Sequence, residues 1–253
     1  MGGAEIDLPN WLFAVLAAPF IGSFLGVVIR RLPEGRPIVA GHSTCDHCGA
    51  RLGPSDLVPL ATWLWNRGKC RHCGASIGFF YPGIELAALA VAVASVAADG
   101  GVALWIDCVL GWWLLTLAWI DIEHFLLPDA LTLPLIPAGL AVTYFVNPDA
   151  LLDRALGAAL GYLVFRGVAL AYRRLRGRDG LGEGDAKLLA AAGAWLGWEA
   201  LPWLVLVAAL AALAAVALAR LSGQRWDSGH AVPFGPFLAF GFFLLWLYGF
   251  AQV

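Results

Sequence analysis

The stretch VALWIDCVLGWWLLTLAWI, residues 102–120, carries a single charged side chain, Asp107. A segment of about 20 predominantly apolar residues is long enough to cross the hydrocarbon core of a bilayer as an α-helix. A helix is expected because backbone polar groups in lipid need hydrogen-bond partners within the same segment. This stretch therefore predicts a transmembrane helix, and it indicates the class of protein to which the rest of the chain belongs.

The composition of the whole chain agrees with that class. The 253 residues are 60% hydrophobic and 13% charged, and the mean hydropathy is +0.77. A soluble domain averages about 25% charged residues. The formal net charge of −2 gives no reason to expect a nucleic-acid partner. Residues 1–10 are acidic rather than basic, and no small-residue cleavage site follows the first apolar segment, so no cleavable signal peptide is expected.

Eight apolar segments of this kind follow one another along the chain. We therefore predict an all-α polytopic membrane protein with about eight transmembrane helices. The sixth segment is short, and Lys187 just before it is expected to extend the helix while its amine reaches the interface. The segments are residues 11–28, 82–98, 102–120, 130–146, 155–172, 188–198, 201–219 and 231–251.

The basic residues predict the orientation of these segments. If the N-terminus lies outside, the inner loops are residues 29–81, 121–129, 173–187 and 220–230. These loops hold 14 of the 16 Lys and Arg residues, whereas Arg154 lies outside and Arg166 lies within a helix. Cytoplasmic loops of membrane proteins carry an excess of Lys and Arg, so this orientation is the expected one.

Four cysteines in the first inner loop predict a structural metal site. They form the pairs CDHC and CRHC, and each pair is followed by glycine. Four thiolates at such spacing can surround one tetrahedral Zn²⁺ and leave no open coordination position. Two disulfides are the alternative, and the reducing inner side argues against them. The predicted ligands are Cys45, Cys48, Cys70 and Cys73. His47 and His72 are expected to support the ligands from outside the coordination shell or to be solvated, rather than to bind the metal, and Cys108 is expected to be a packing residue.

Two aspartates are the candidate catalytic residues. Asp185, in the sequence GEGD, begins the sixth segment, and Asp121 ends the third. The predicted topology places both at the same membrane face, where ionisable groups are costly and usually functional. Two carboxyl groups in one site of low dielectric can share a proton, so that one activates water while the other stays protonated. The alternative for Asp185 is a purely structural role as a helix N-cap.

Several other charged residues are weaker candidates for a functional role. Glu123 is the second choice for the acid of the third segment, and Asp129 is expected to be the N-cap of the next helix. Glu85 could face the cysteine-bearing loop. Arg166 could pair with an acid or extend to the interface.

Six motifs together resemble the prepilin peptidases, also called type IV leader peptidases, which are bacterial inner-membrane aspartic proteases. Nearly the whole chain takes part in this resemblance. The motifs are GSFLGVVIRRLP (residues 22–33), the two cysteine pairs, YPGIEL (81–86), DIEHFLLPD (121–129), GEGDAKLLA (182–190) and VPFGPFLAFG (232–241).

The resemblance implies that Asp121 and Asp185 are the catalytic pair, with a type IV prepilin or pseudopilin as substrate. It divides the chain into a first transmembrane helix (residues 1–29), a cytoplasmic zinc-binding insert (30–80) and a seven-helix membrane catalytic domain (81–253). Members with this insert often also methylate the new N-terminus with S-adenosylmethionine. The residues of that second activity are left open, since Gly26 stands where the family's signature usually has Asn.

Two other classes compete with the peptidase interpretation. A transporter could combine eight helices and embedded acids with a cytoplasmic metal-sensing loop. Transporters tend to show internal repeats or broken helices near mid-membrane, and this sequence has no such repeat. A non-catalytic assembly factor could use the metal module for docking, but it would not need two acids at one membrane face.

Overall fold

The structure is a computed structural model, and it describes residues 9–39, 42–45, 47–177, 182–222 and 232–249. The chain divides into two compact units, Met1–Trp112 (unit 1) and Trp113–Val253 (unit 2). Over the described residues the secondary structure is helical, apart from two isolated β-bridges. The α-helices are α1 (Asn10–Arg31), α2 (Ala61–Trp65), α3 (Phe80–Ala98), α4 (Gly101–His124), α5 (Asp129–Val146), α6 (Leu151–Arg176), α7 (Glu183–Leu196), α8 (Leu201–Leu221) and α9 (Gly235–Tyr248).

The prediction of an all-helical membrane protein is confirmed. Six helices among the described residues are long and apolar enough to cross a membrane, namely α1, α3, α4, α5, α6 and α8. Helices α7 and α9 have 14 residues each. At 1.5 Å per residue such a helix is about 21 Å long, which is less than the ~30 Å of a hydrocarbon core. The sixth and eighth predicted segments are therefore helices that are shorter than a full span.

Part of the predicted topology falls on residues outside the described ranges. Arg178 and Arg225 belong to the basic residues that predict the orientation, and neither is among the described residues. The same holds for residues 1–8, on which the expectation about a signal peptide depends.

Helix α7 lies at the centre of unit 2. Nearly every residue from Asp185 to Leu196 is buried, so the helix is enclosed on all sides. Two glycines of α6 allow the closest approach: a Cβ at Gly157 would lie 2.6 Å from the carbonyl oxygen of Gly193, and a Cβ at Gly161 would lie 2.6 Å from that of Leu189. Glycines at this four-residue spacing let two membrane helices pack backbone to backbone. Small residues on α6 therefore hold α7 in place.

Helix α5 packs on α7 through a tryptophan. The Trp195 indole N–H donates to the Leu135 carbonyl at 2.8 Å. A Cβ at Gly139 would lie 2.6 Å from the same indole nitrogen, so only glycine leaves room for the ring. This buried hydrogen bond satisfies the indole donor and fixes the rotation of α7 relative to α5.

In unit 1, α1 and α3 pack closely. A Cβ at Gly22 would lie 2.7 Å from the Cα of Glu85, and the contact continues through buried alanines of both helices, including Ala18 and Ala88. The Trp112 indole N–H donates to the Ala88 carbonyl at 3.0 Å and ties the first half of α4 to α3. The cysteine-bearing insert follows α1 and precedes α3.

Candidate active site

Asp121 lies in the last turn of α4 and is buried, with 6% of its surface exposed. The backbone N–H of Gly235, the first residue of α9, donates to its Oδ2 at 3.0 Å. These two residues are 114 positions apart in the chain. The N-terminus of a helix carries unsatisfied N–H groups and a partial positive charge, so it is a favourable partner for a carboxylate. The tertiary structure therefore holds one oxygen of Asp121 against α9.

Asp185 is the third residue of α7 and is similarly buried. The N-cap of α7 is Gly182, and its backbone N–H donates to the Asp185 carboxylate. The alternative interpretation of Asp185 as the N-cap itself is therefore wrong, because its carboxylate reaches back to the cap from the third helical position, as in a capping box. The carboxylates of Asp185 and Asp121 are close enough to repel each other electrostatically. The structure brings both predicted acids into one part of unit 2.

The loop after α4 is packed directly against the start of α7. A Cβ at Gly184 would lie 2.7 Å from the Cβ of Leu127, which is itself buried. The Lys187 ammonium group lies 2.7 Å from Oδ1 of Asp129 and 3.7 Å from a carboxylate oxygen of Glu183. The motifs DIEHFLLPD and GEGDAKLLA are thus joined by a glycine contact and an ion pair.

One prediction about these two residues is confirmed and one is wrong. Lys187 extends the sixth segment as a helix, since α7 begins at Glu183, and its amine pairs with Asp129, the first residue of α5. Asp129 is not an N-cap: α5 begins at Asp129, its N-cap is Pro128, and no side chain caps the helix. The local sequence predicts capping for the Asp129 carboxylate, but this carboxylate instead binds the ammonium group of Lys187, 58 positions away.

We expect the Lys187–Asp129 pair to stabilise the contact between α5 and α7 by about 1 kcal/mol, the upper end for an exposed pair, because the lysine is mostly covered. Denaturant unfolding of Lys187→Met, Asp129→Asn and the double variant measures this coupling. Additive effects of the two substitutions would show that the pair contributes nothing.

Neighbouring charged residues make contacts with one another and with an indole. Glu123 accepts a hydrogen bond from the Trp119 indole at 3.3 Å and lies 3.9 Å from the imidazole of His124. Arg166 lies 3.9 Å from Glu183, so it pairs with an acid, which is one of the two outcomes predicted for it. Cys108 is completely buried, as expected of a packing residue.

The four predicted cysteines form one cluster. Their sulfur atoms all lie within 4.8 Å of one another, and the Sγ atoms of Cys45 and Cys73 are 4.0 Å apart. A tetrahedral Zn²⁺ with Zn–S bonds of ~2.3 Å separates its sulfur ligands by about 3.8 Å. The sulfur atoms are much further apart than the ~2.05 Å of a disulfide bond. The donor set and its spacing fit a closed structural metal site.

The two halves of this cluster have the same backbone geometry. In each half, the N–H of the first cysteine donates to the carbonyl five residues on, at 2.9 Å for Cys45 and 2.8 Å for Cys70. The glycine after the second cysteine donates back to the carbonyl of the first at 2.8 Å in both halves. Gly49 and Gly74 have φ values of +69° and +72°, which explains why glycine follows each pair.

The surroundings of Cys70 favour metal ligation. Backbone N–H groups of Cys73 and His72 donate to its sulfur and lower the pKa of this thiol to about 6. The thiolate is the form that binds metal. His72 contributes its backbone, and its ring is not among the ligands of the cluster, as predicted for both histidines.

A buried carboxylate anchors the insert within unit 1. The Leu60 N–H donates to Oε2 of Glu85 at 2.8 Å, and Ser23 of α1 also hydrogen-bonds to Glu85. Leu60 has a φ of +57°, which is rare for a residue other than glycine. The expectation that Glu85 faces the cysteine-bearing loop is confirmed, and its carboxylate holds a strained turn of that loop.

Glu85→Ala should weaken this anchor by about 1–3 kcal/mol, because a buried N–H loses its acceptor. We expect faster hydrogen exchange at the Leu60 amide and earlier proteolysis of residues 57–60. Glu85→Gln keeps an oxygen acceptor and is the matched control, so it should remain close to the unchanged protein. Equal exchange in all three proteins would contradict an anchoring role.

Gly26 has a structural explanation in unit 1. A Cβ at this position would lie 2.9 Å from two ring carbons of Tyr81 and 3.4 Å from Ile84. An asparagine side chain would therefore collide with the tyrosine ring. The contact with Tyr81 therefore accounts for a residue without a side chain at position 26 in this protein.

Two contacts of the site are not predicted from the sequence. One joins Gly235 to Asp121, although the motif VPFGPFLAFG contains this glycine, and the other joins Lys187 to Asp129. Both contacts join distant segments, and neither has a local signal beyond the glycine–proline start of α9.

The chain is similar to known proteins over most of its length. A profile described as Bacterial Peptidase A24 N-terminal domain matches residues 16–98, and the Type IV leader peptidase family matches residues 108–218. The chain is 39% identical to the prepilin leader peptidase/N-methyltransferase of Aeromonas hydrophila, over 94% of this chain and 92% of the relative. It is 40% identical to the protein of that name from Pectobacterium carotovorum subsp. carotovorum, over 92% of each chain. No solved structure matches the chain significantly.

The fold and the site define a polytopic membrane protein with two buried aspartates at helix ends and a four-cysteine cluster. Among such proteins, similarity over more than nine-tenths of the chain identifies the family. The chain belongs to the type IV leader peptidase family.

Proposed function

We propose that this protein is a membrane aspartic endopeptidase that removes the leader peptide from type IV prepilins and pseudopilins and N-methylates the new N-terminus. The observation that carries the proposal is the pair of buried carboxylates at the ends of α4 and α7, in a chain similar to named leader peptidases. The transporter alternative finds no support, since the relatives named above are peptidases.

In the proposed reaction, Asp121 and Asp185 bind the attacking water between them. One carboxylate accepts a proton from the water as its oxygen attacks the scissile carbonyl carbon, while the other, protonated, carboxyl group donates its proton to the carbonyl oxygen. The tetrahedral intermediate then breaks its C–N bond as the first acid gives its proton to the leaving amine and the second takes a proton back from the hydroxyl group. The N–H groups of Gly235 and Gly182 hold the two carboxylates in place. Burial excludes bulk water from the acids and strengthens these electrostatic interactions.

We propose an orientation with the N-terminus outside and the two acids at the cytoplasmic face of a bacterial inner membrane. The excess of basic residues in the predicted inner loops supports it. Helices α7 and α9 lie within the bilayer as the sixth and eighth membrane segments, with α7 enclosed by other helices. The functional division is a first helix (1–29), a cytoplasmic insert (30–80) and a membrane catalytic domain (81–253).

Two further groups belong to this proposal. Zn²⁺ bound by Cys45, Cys48, Cys70 and Cys73 would stabilise the insert without taking part in the reaction. S-adenosylmethionine would supply the methyl group for N-methylation.

Co-expression with a prepilin tests the function. Leader removal is scored by the faster migration of the product on a gel, and methylation by a mass increase of one methyl group. A chain with both aspartates replaced by asparagine is the matched control. A prepilin that keeps its leader in the presence of the unchanged protein would contradict the proposal.

A further inference from the structure

The N–H of Gly235 is the one donor in the first turn of α9 that its own helix leaves unused. The first-turn N–H groups of a helix lack intrahelical partners. Pro236 has no N–H, and the N–H groups of Phe237 and Leu238 both donate to the Phe234 carbonyl at 3.1 Å. Gly235 instead donates to Oδ2 of Asp121 at 3.0 Å. The start of α9 is therefore arranged to present a single donor to this carboxylate.

The absence of a side chain at residue 235 is equally specific. A Cβ there would lie 2.7 Å from Oδ2 of Asp121, 3.1 Å from its Cγ and 3.3 Å from its Cβ. Gly235 does not need a positive φ, so left-handed backbone is not the reason for glycine here. Its place before Pro236 makes a Cβ less favourable in a helix, and the contact with Asp121 adds a second, closer constraint.

We propose that Gly235 is a positioning residue for leader cleavage, which fixes the Asp121 carboxylate by one hydrogen bond and by direct backbone contact. This inference rests on the catalytic role proposed for Asp121. A catalytic group displaced by about 1 Å can lose about 10²-fold in rate. Gly235→Ala forces such a displacement, since either the carboxylate or the start of α9 must move.

Cleavage kinetics of the purified full chain with a prepilin test this role. Gly235→Ala should lower kcat about 100-fold and leave KM nearly unchanged, because the substrate-binding surface is intact. Gly241→Ala is the matched control on the same helix: its Cβ would meet the end of the flexible Leu204 side chain at 3.0 Å, and it touches neither aspartate. We expect Gly241→Ala to stay within a few-fold of the unchanged protein. N-methylation of a pilin supplied without its leader should be equal in both variants.

The outcomes separate this inference from the proposed function. Normal kcat in Gly235→Ala, together with an inactive Asp121→Asn, overturns the positioning role alone. Normal cleavage by Asp121→Asn overturns the proposed catalytic pair itself. If Gly235→Ala does not accumulate, adding Asp121→Ala removes the two closest atoms that its Cβ would meet, Oδ2 and Cγ, and should restore accumulation. Failure to restore it would show that the defect lies elsewhere and would overturn the inference.

Discussion

Asp121→Asn and Asp185→Asn should each lower leader cleavage by about 10⁴-fold, while the protein still inserts and accumulates. Water activation requires one ionised and one protonated carboxyl group, and an amide can supply neither a base nor an acid. Asparagine keeps the size of the side chain, so the packing around both buried positions is preserved. The measurement is the rate of leader loss by purified protein, with accumulation in membranes followed by immunoblot.

Glu123→Gln is the control for this prediction. Its carboxylate accepts a hydrogen bond from Trp119 and lies 3.9 Å from the His124 imidazole, and it is not one of the proposed pair, so most of the activity should remain. Substantial turnover by either aspartate variant would remove the pair from the mechanism. A dead Glu123→Gln beside an active Asp121→Asn would instead assign the role to Glu123, the second choice from the sequence.

Cys45→Ser should remove the bound metal and unfold the cysteine cluster. Structural Zn²⁺ in peptides of this kind contributes an apparent binding free energy of about 10–16 kcal/mol, which is far more than a short loop gains from its own packing. We expect one Zn²⁺ per unchanged chain by metal analysis, none in the variant, and rapid proteolysis of the insert in the variant. Part of the cleavage activity should remain, since both aspartates belong to unit 2.

His72→Ala is the control for the metal site. The His72 ring is exposed and is not among the grouped ligands, while its backbone donor to Cys70 is unaffected by the substitution. The variant should keep its metal. A Cys45→Ser protein without metal but with a protease-resistant insert would contradict the structural role of the ion.

Local sequence patterns were sufficient to predict the helices. Each of the eight apolar segments corresponds to a helix, because in lipid the chain satisfies its backbone polar groups within the segment itself. The cysteine cluster could also be predicted from local sequence. In each pair the two cysteines are close in the chain, and a glycine follows where the turn needs a positive φ. Both glycines in the cluster have that conformation.

The length of an apolar segment did not predict whether its helix spans the membrane or is enclosed by other helices. Helix α7 has 14 residues, and an apolar segment of this length fits either a buried helix or part of a span. Its enclosure depends on Gly157 and Gly161 of α6, whose meaning appears only when the facing carbonyl groups of Gly193 and Leu189 are in place. The spacing GAALG could have signalled a close helix contact, but it does not name the partner.

The sequence alone determined that this protein is a helical membrane protein with a four-cysteine cluster and two candidate acids, because hydropathy, ligand spacing and motif resemblance are local properties. Only the tertiary structure decided which atoms hold those acids. Asp121 is held by Gly235 and Lys187 is paired with Asp129, across separations of 114 and 58 residues. A hydrogen bond or ion pair of this kind depends on how helices pack, and packing is set by many contacts at once rather than by any one stretch of chain.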